Sequence, residues 1–224
     1  MPQHVKNVPG RKSDLSDADW LADVAAHGMV RPSFVPPPPI RELRELTRYR
    51  KTQVDARARE IQRLERVLQD AGVKLTSVAS AVWSASSRQI IEALIAGERD
   101  PQVLVQMAKG KMRPKIPQLQ EALAGHFGPH HAVVCRQIID HIDFLDRSIA
   151  ALSEEVTMRL APFEAAVTIL TSMPGISQRS AEVIVAETGA DMARFPTPDQ
   201  LCAWVGQLPR GYSSTICVPV GPAG

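Results

Sequence analysis

The sequence predicts a mainly α-helical protein. Alternating β-branched runs are few, Gly and Pro fall at intervals that suit helix ends, and two long segments carry apolar residues at heptad spacing. At 224 residues and 44% hydrophobic content, the chain can build one large or two modest domains with real cores. No run of about 18 apolar residues occurs, and the N-terminal MPQHVKNVPGRK lacks the apolar stretch of a secretion signal. Neither membrane insertion nor export is expected, and the cytoplasm is the predicted compartment. Cys135, Cys202 and Cys217 are odd in number and far apart, which argues against a disulfide framework or a zinc site and for reduced thiols.

The net charge of +2 is small but uneven: residues 1–74 carry 14 Lys/Arg against 10 Asp/Glu, and the rest carry 12 against 14. Much of the basic excess lies from Arg41 to Arg66 on a predicted helix, where it forms either a solvated face or a track for a polyanion.

In chain order, SDLSDADWLADVAAHG is predicted to be a helix capped by Ser13 or Asp14, closed by Gly28 and facing inward with Leu21, Val24 and Ala25. In the RPSFVPPPPI that follows, Pro36 to Pro39 impose a polyproline extension, read as a semi-rigid spacer. Between Ile40 and Ala71 there is no Gly or Pro, and Ile40, Leu43, Val54, Ile61, Leu64 and Leu68 fit an a/d seam interrupted by Thr47, Arg50 and Arg57. Shorter helices are expected to start at Ser86 or Ser87, at Asp100 with Pro101, and at Pro117. The second seam runs Ile138, Ile142, Leu145, Ile149, Leu152, Val156, with His141, Asp143, Asp146 and Arg147 outside it. Matching seams predict a coiled-coil hairpin, formed within one chain or between two. His130 and His131 follow Pro129 at a helix start, and no HxxxH or HxH spacing makes the histidines a metal set. Periodicity is lost after Gly206, where a loop or frayed tail is expected.

The most informative segment is Leu170 to Gly189, LTSMPGISQRSAEVIVAETG. Pro174 and Gly175 break one helix, Ile176 plugs the turn into the core, and Ser177 can cap a second helix with Ala181, Ile184 and Val185 inward. A helix N-terminus with unsatisfied amides and a positive dipole end suits a phosphate, and Arg179 adds a full charge there. Gly175, Ile176, Gln178, Arg179 and Ser180 are therefore the candidate DNA-backbone contacts. The plain alternative is an ordinary αα-hairpin with a glycine turn.

Asp14 and Asp17 are three apart at a predicted helix start, so they share a face and could offer two oxygen ligands to one Mg²⁺. The alternative is a cap and a first-turn anion. Two carboxylates are too few for a nuclease centre on their own.

Three blocks taken together, VPGRKSDLSDADWLAD, HGMVRPSFVPPPPIRELRELTRYR and LTSMPGISQRSAEVIVAETGADMARFPTPDQLCAWVG, resemble the DEDD-type insertion-sequence transposases. These are bacterial recombinases with a RuvC-like front domain, a coiled coil and a helix-hairpin-helix back domain. The resemblance runs from about His4 to about Pro209 and keeps the family's block order. It implies that Asp14 and Asp17 are the last two acids of a four-carboxylate Mg²⁺ centre, with Ser13 where Thr is usual. The quartet's first Asp and its Glu lie upstream in the family, where this chain has 13 residues, so the expectation is an incomplete copy without the RuvC-like sheet. Ser214 matches the family's serine nucleophile, with Ser213 as the alternative. The STICVPVGPAG that replaces the usual basic continuation would fit a frameshift or truncation near residue 210. A phosphoserine would conserve the energy of the broken phosphodiester for rejoining, and the serine's activation would need the metal nearby. The resemblance also implies a site composed across subunits, with DNA and a structured guide RNA from the element as partners. A homo-oligomer through the coiled coil and a bacterial cytoplasm are expected with it.

The expected layout is a RuvC-like remnant over 1–35, a proline-rich spacer over 36–39, a helical coiled-coil region over 40–160, a helix-hairpin-helix domain over 161–210 and an irregular tail over 211–224. Three functions fit it in decreasing measure: DNA strand cleavage and rejoining, a non-catalytic DNA-binding and dimerising fragment, and a structure-specific DNA-repair factor. The repair reading has no place for the DLSDADWLAD block or the proline run.

Overall fold

The computed structural model describes residues 14–29, 35–79 and 81–205. Among them the secondary structure is helical with no strand, as the pattern of helix stops and heptads predicts. The chain divides into two compact units, one comprising 41–186 and the other 1–40 with 187–224.

The unit of 41–186 is organised around two long helices, α2 (Pro38–Asp70) and α6 (Pro129–Leu160). They lie antiparallel within one chain, because Glu42 pairs with Arg159, Arg57 with Asp146, Glu60 with His141 and Asp70 with His131. The internal option for the two seams is thus the one adopted. Leu43, Leu64 and Leu68 from α2 and Ile138, Ile142, Leu145 and Val156 from α6 are buried, while Val54, Ile61, Ile149 and Leu152 are half-buried. The polar interruptions of the first seam do not open it. Thr47 turns its hydroxyl back to Arg44 O at 3.1 Å, Arg57 binds Asp146, and Arg50 reaches beyond α6.

The chain between the two long helices builds a helical cap. It holds α3 (Ala85–Ala96), α4 (Pro101–Val105), a 3₁₀ turn (Gly110–Lys115) and α5 (Ile116–Ala122). One apolar cluster joins cap and stalk, with Ile90, Leu94, Leu104 and Leu119 packed in the same core as Leu64, Leu68, Cys135 and Ile139. The cap closes on itself at a neck. His126 N donates to Ala71 O at 2.7 Å, Lys74 N donates to Ala122 O at 2.9 Å, and a Cβ on Gly125 would meet Ala71 O at 2.3 Å. Only glycine fits there.

Three sequence expectations change. The helix expected from Ser86 or Ser87 starts at Ala85, because Ser84 is the cap and its Oγ accepts from Ser87 N at 3.2 Å. Asp100 does cap α4, accepting from Gln102 N at 2.8 Å, but that helix ends at Val105. Pro38 and Pro39 are the first residues of α2 and not the end of an extended spacer, since a first turn asks nothing of their missing N–H groups.

In the other unit, α1 (Asp14–Ala26) ends as expected at Gly28, whose φ is +67°. Gly28 N donates to Ala25 O and Met29 N to Val24 O, the double closure that a left-handed glycine permits. Val24 is buried and Leu21 half-buried, whereas Ala25 is exposed, so the inner face is narrower than expected. No helix among the described residues is long and apolar enough to cross a membrane.

Candidate nucleic-acid interface

Two helices, α7 (Glu164–Thr171) and α8 (Gln178–Thr188), flank the hairpin in the segment singled out by sequence. Ser172 closes α7, and Ile176 N donates to Met173 O at 3.2 Å across Pro174 and Gly175. Gly175 has φ +89°, so Pro at the second position and Gly at the third make this a type II turn. Ser177 then caps α8: its Oγ accepts from Ser180 N at 3.2 Å and its carbonyl from Ala181 N at 2.9 Å. The first amides of α8 have no acceptor within their own helix, and the dipole places partial positive charge beside them.

The hairpin is held from behind. Ile176 is half-buried against a cluster of Leu43, Val156, Leu160, Val167, Ala181, Val185 and Ala186. Arg50, which interrupts the α2 seam, donates to Glu182 Oε2 of α8 at 2.7 Å with both side chains nearly excluded from solvent. Arg44 adds a bond to Ala186 O at 3.4 Å. In front, Gly175, Gln178, Arg179 and Ser180 are exposed, and the Arg179 guanidinium lies 3.4 Å from Ser153 Oγ of α6. The turn therefore presents backbone and one cation to solvent on a rigid support. Sequence marked Arg50 as an interruption, but the partner 132 positions away in the chain had no local signal.

Asp14 and Asp17 lie in the first turn of α1, one helical turn apart. Their residue types are the hard oxygen donors that Mg²⁺ takes, but they make only half of a four-carboxylate set. Among the described residues no group of three or more His, Cys, Asp or Glu could hold a metal. Ser213 and Ser214 lie outside the described residues. The histidines at the start of α6 act locally: His131 Nδ1 accepts from Gly128 N at 3.0 Å, which leaves Nε2 to donate to Asp70 at 3.2 Å.

Fold and hairpin define a class: a helical protein in which an antiparallel stalk carries a capped αα-hairpin at one end. Comparison with known families narrows it. A DEDD-type family of IS110 elements, described as "Transposase", matches residues 1–73, and the "Transposase IS116/IS110/IS902 family" matches residues 167–216. Both matched segments point to the IS110-type transposases, the proteins of insertion sequences. Over 214 residues it is 24% identical to a "Probable family 20 transposase" of Pseudomonas aeruginosa, covering 95% of this chain. The chain spans 54% of that relative's length. No solved structure matches.

Proposed function

We propose that this chain engages insertion-element DNA through the hairpin and serves strand cleavage and rejoining. The observation that carries the reading is the Ser177-capped start of α8 beside an exposed type II turn, backed by the buried Arg50–Glu182 pair. Gly175 and Ile176 shape the turn, Gln178 offers its first-turn amide and Ser180 its hydroxyl to a phosphate, and Arg179 supplies the charge.

For the chemistry, Asp14 and Asp17 would hold Mg²⁺ as part of a carboxylate set completed from elsewhere, and Ser214, or its neighbour Ser213, would be the nucleophile. Bound there, the metal would supply Lewis-acid stabilisation of the phosphodiester oxygens. A structured guide RNA from the element, a homo-oligomer and a bacterial cytoplasmic setting belong to the same proposal. Because the apolar seam of α2 and α6 is spent inside one chain, assembly would use the outer stalk, where Phe144 and Met158 are exposed. The same layout, a RuvC-like remnant followed by coiled coil and helix-hairpin-helix, remains part of the reading. A binding module without chemistry is the second reading, favoured by the fact that the hairpin turn and the residues packed behind it lie within 41–186.

The hairpin is tested by fluorescence anisotropy on labelled element-end DNA across a salt series. Arg179→Ala should weaken binding and reduce the slope of log affinity against log salt by about 1. An unchanged slope would remove the hairpin from the interface.

A further inference from the structure

Between Asp100 and Glu121 the chain has no acidic residue, yet Lys109, Lys111, Arg113 and Lys115 alternate through KGKMRPK. The 3₁₀ turn of the cap gathers this run, and Lys109, Arg113 and Lys115 are all exposed. None of these three has a carboxylate partner among the described residues, whereas Arg50, Arg57, Arg88, Arg136 and Arg159 of the same unit each have one. The turn is fixed in place: Met112 is buried beneath it, and Lys109 N donates to Ser86 Oγ at 3.1 Å. Beside it is a cavity of about 410 Å³ bounded by Lys109, Lys115, Thr76, Ser77, Ser84 and Ser86. Like charges gathered on one short turn repel, and a polyanion relieves that repulsion. The Thr76 and Ser86 hydroxyls are at the cavity wall, while Ser77 Oγ donates to Lys74 O and Lys115 Nζ reaches Val78 O at 3.4 Å.

We propose that this turn and cavity form a second phosphodiester-binding surface, which takes the backbone of duplex DNA independently of the hairpin. The two sites are at opposite ends of the stalk. The hairpin packs at Val156 and Leu160 and the cap at Cys135 to Ile142, on a helix of 32 residues. At about 1.5 Å per residue the two packing regions lie about 20–40 Å apart along that helix, comparable with one turn of duplex DNA.

The test is the full chain with Lys109→Gln, Arg113→Gln and Lys115→Gln combined, titrated against a 30-base-pair DNA duplex and an RNA duplex of the same sequence across a salt series. A control of equal charge change carries Arg136→Gln, Arg147→Gln and Arg159→Gln on α6, outside both the cap turn and the basic stretch of α2. Far-UV circular dichroism checks that both remain helical. The cap variant should lose about tenfold or more in DNA affinity near 100 mM salt and about 2 to 3 in salt slope, well beyond the control. A parallel loss on RNA leaves the proposal standing. An unchanged DNA isotherm, a loss no larger than the control's, or a loss confined to RNA overturns it. Arg179→Ala measured alongside separates the two surfaces, since either can lose its effect while the other keeps it.

Discussion

The Arg50–Glu182 pair carries more consequence than any other single contact, because both partners are buried and they join α2 to α8. Removing one leaves an uncompensated charge in a dry place. Arg50→Met should therefore destabilise the chain by about 3–5 kcal/mol in urea unfolding, and adding Glu182→Leu should restore most of it. If Arg50→Met were neutral, the pair would not be what holds the hairpin. Asp143 is a different case, half-exposed beside Arg88, whose guanidinium donates to it at 2.6 Å. That hydrogen bond, with the charge of Arg88 behind it, holds the Asp143 carboxyl below its ordinary 3.8. The stabilisation is whole above that value and drains as pH falls through the lower folded value. The difference in thermal stability between the protein and Asp143→Asn should narrow as pH drops below 3.8. A difference that stays constant from neutral to strongly acidic solution would contradict the assignment.

At the scale of elements, the α6 seam was legible because its apolar spacing is regular and its partner seam is in the same chain. Local pattern failed where a choice among equals was decided at long range. Ser84, Ser86 and Ser87 are all good caps, and Ser84 takes the role while Ser86 is occupied by Lys109 N, 23 positions away. The proline run was misread for a related reason: the same residues suit an extension and a first helical turn, and the sequence does not say which. The hairpin was read correctly down to its cap because Pro-Gly-Ile-Ser fixes a turn type and a helix start locally. Ser177→Ala should cost about 1 kcal/mol in stability by uncapping α8. A loss of nothing in chemical denaturation would mean that the α8 start is supported by Ile176 and the cluster behind it alone.

For the whole molecule, the proposed chemistry rests on residues at both ends of the sequence, and only the resemblance to transposases pointed to them. Asp14 and Asp17 are unremarkable helix-start acids by spacing alone, and no physical pattern within the chain marks Ser214 as a nucleophile. The discriminating experiment is Mg²⁺-dependent processing of element-end DNA with the cognate RNA. Asp14→Ala or Asp17→Ala should abolish strand cleavage while leaving DNA binding within about twofold, and Ser214→Ala should abolish a covalent DNA–protein adduct. Cleavage that survives both aspartate changes would sink the carboxylate assignment and leave the hairpin reading untouched.

The glycine neck at the base of the cap sets how this architecture can change. Because the chain leaves α2 and rejoins α6 at one bonded point, the length of what lies between is uncoupled from the spacing of the two long helices. Residues can be added to or deleted from the outer cap loops without moving the far end of the stalk, where the hairpin sits. The neck thus makes the cap a site where insertions are tolerated, and lets a surface evolve at one end while the geometry of the other is conserved.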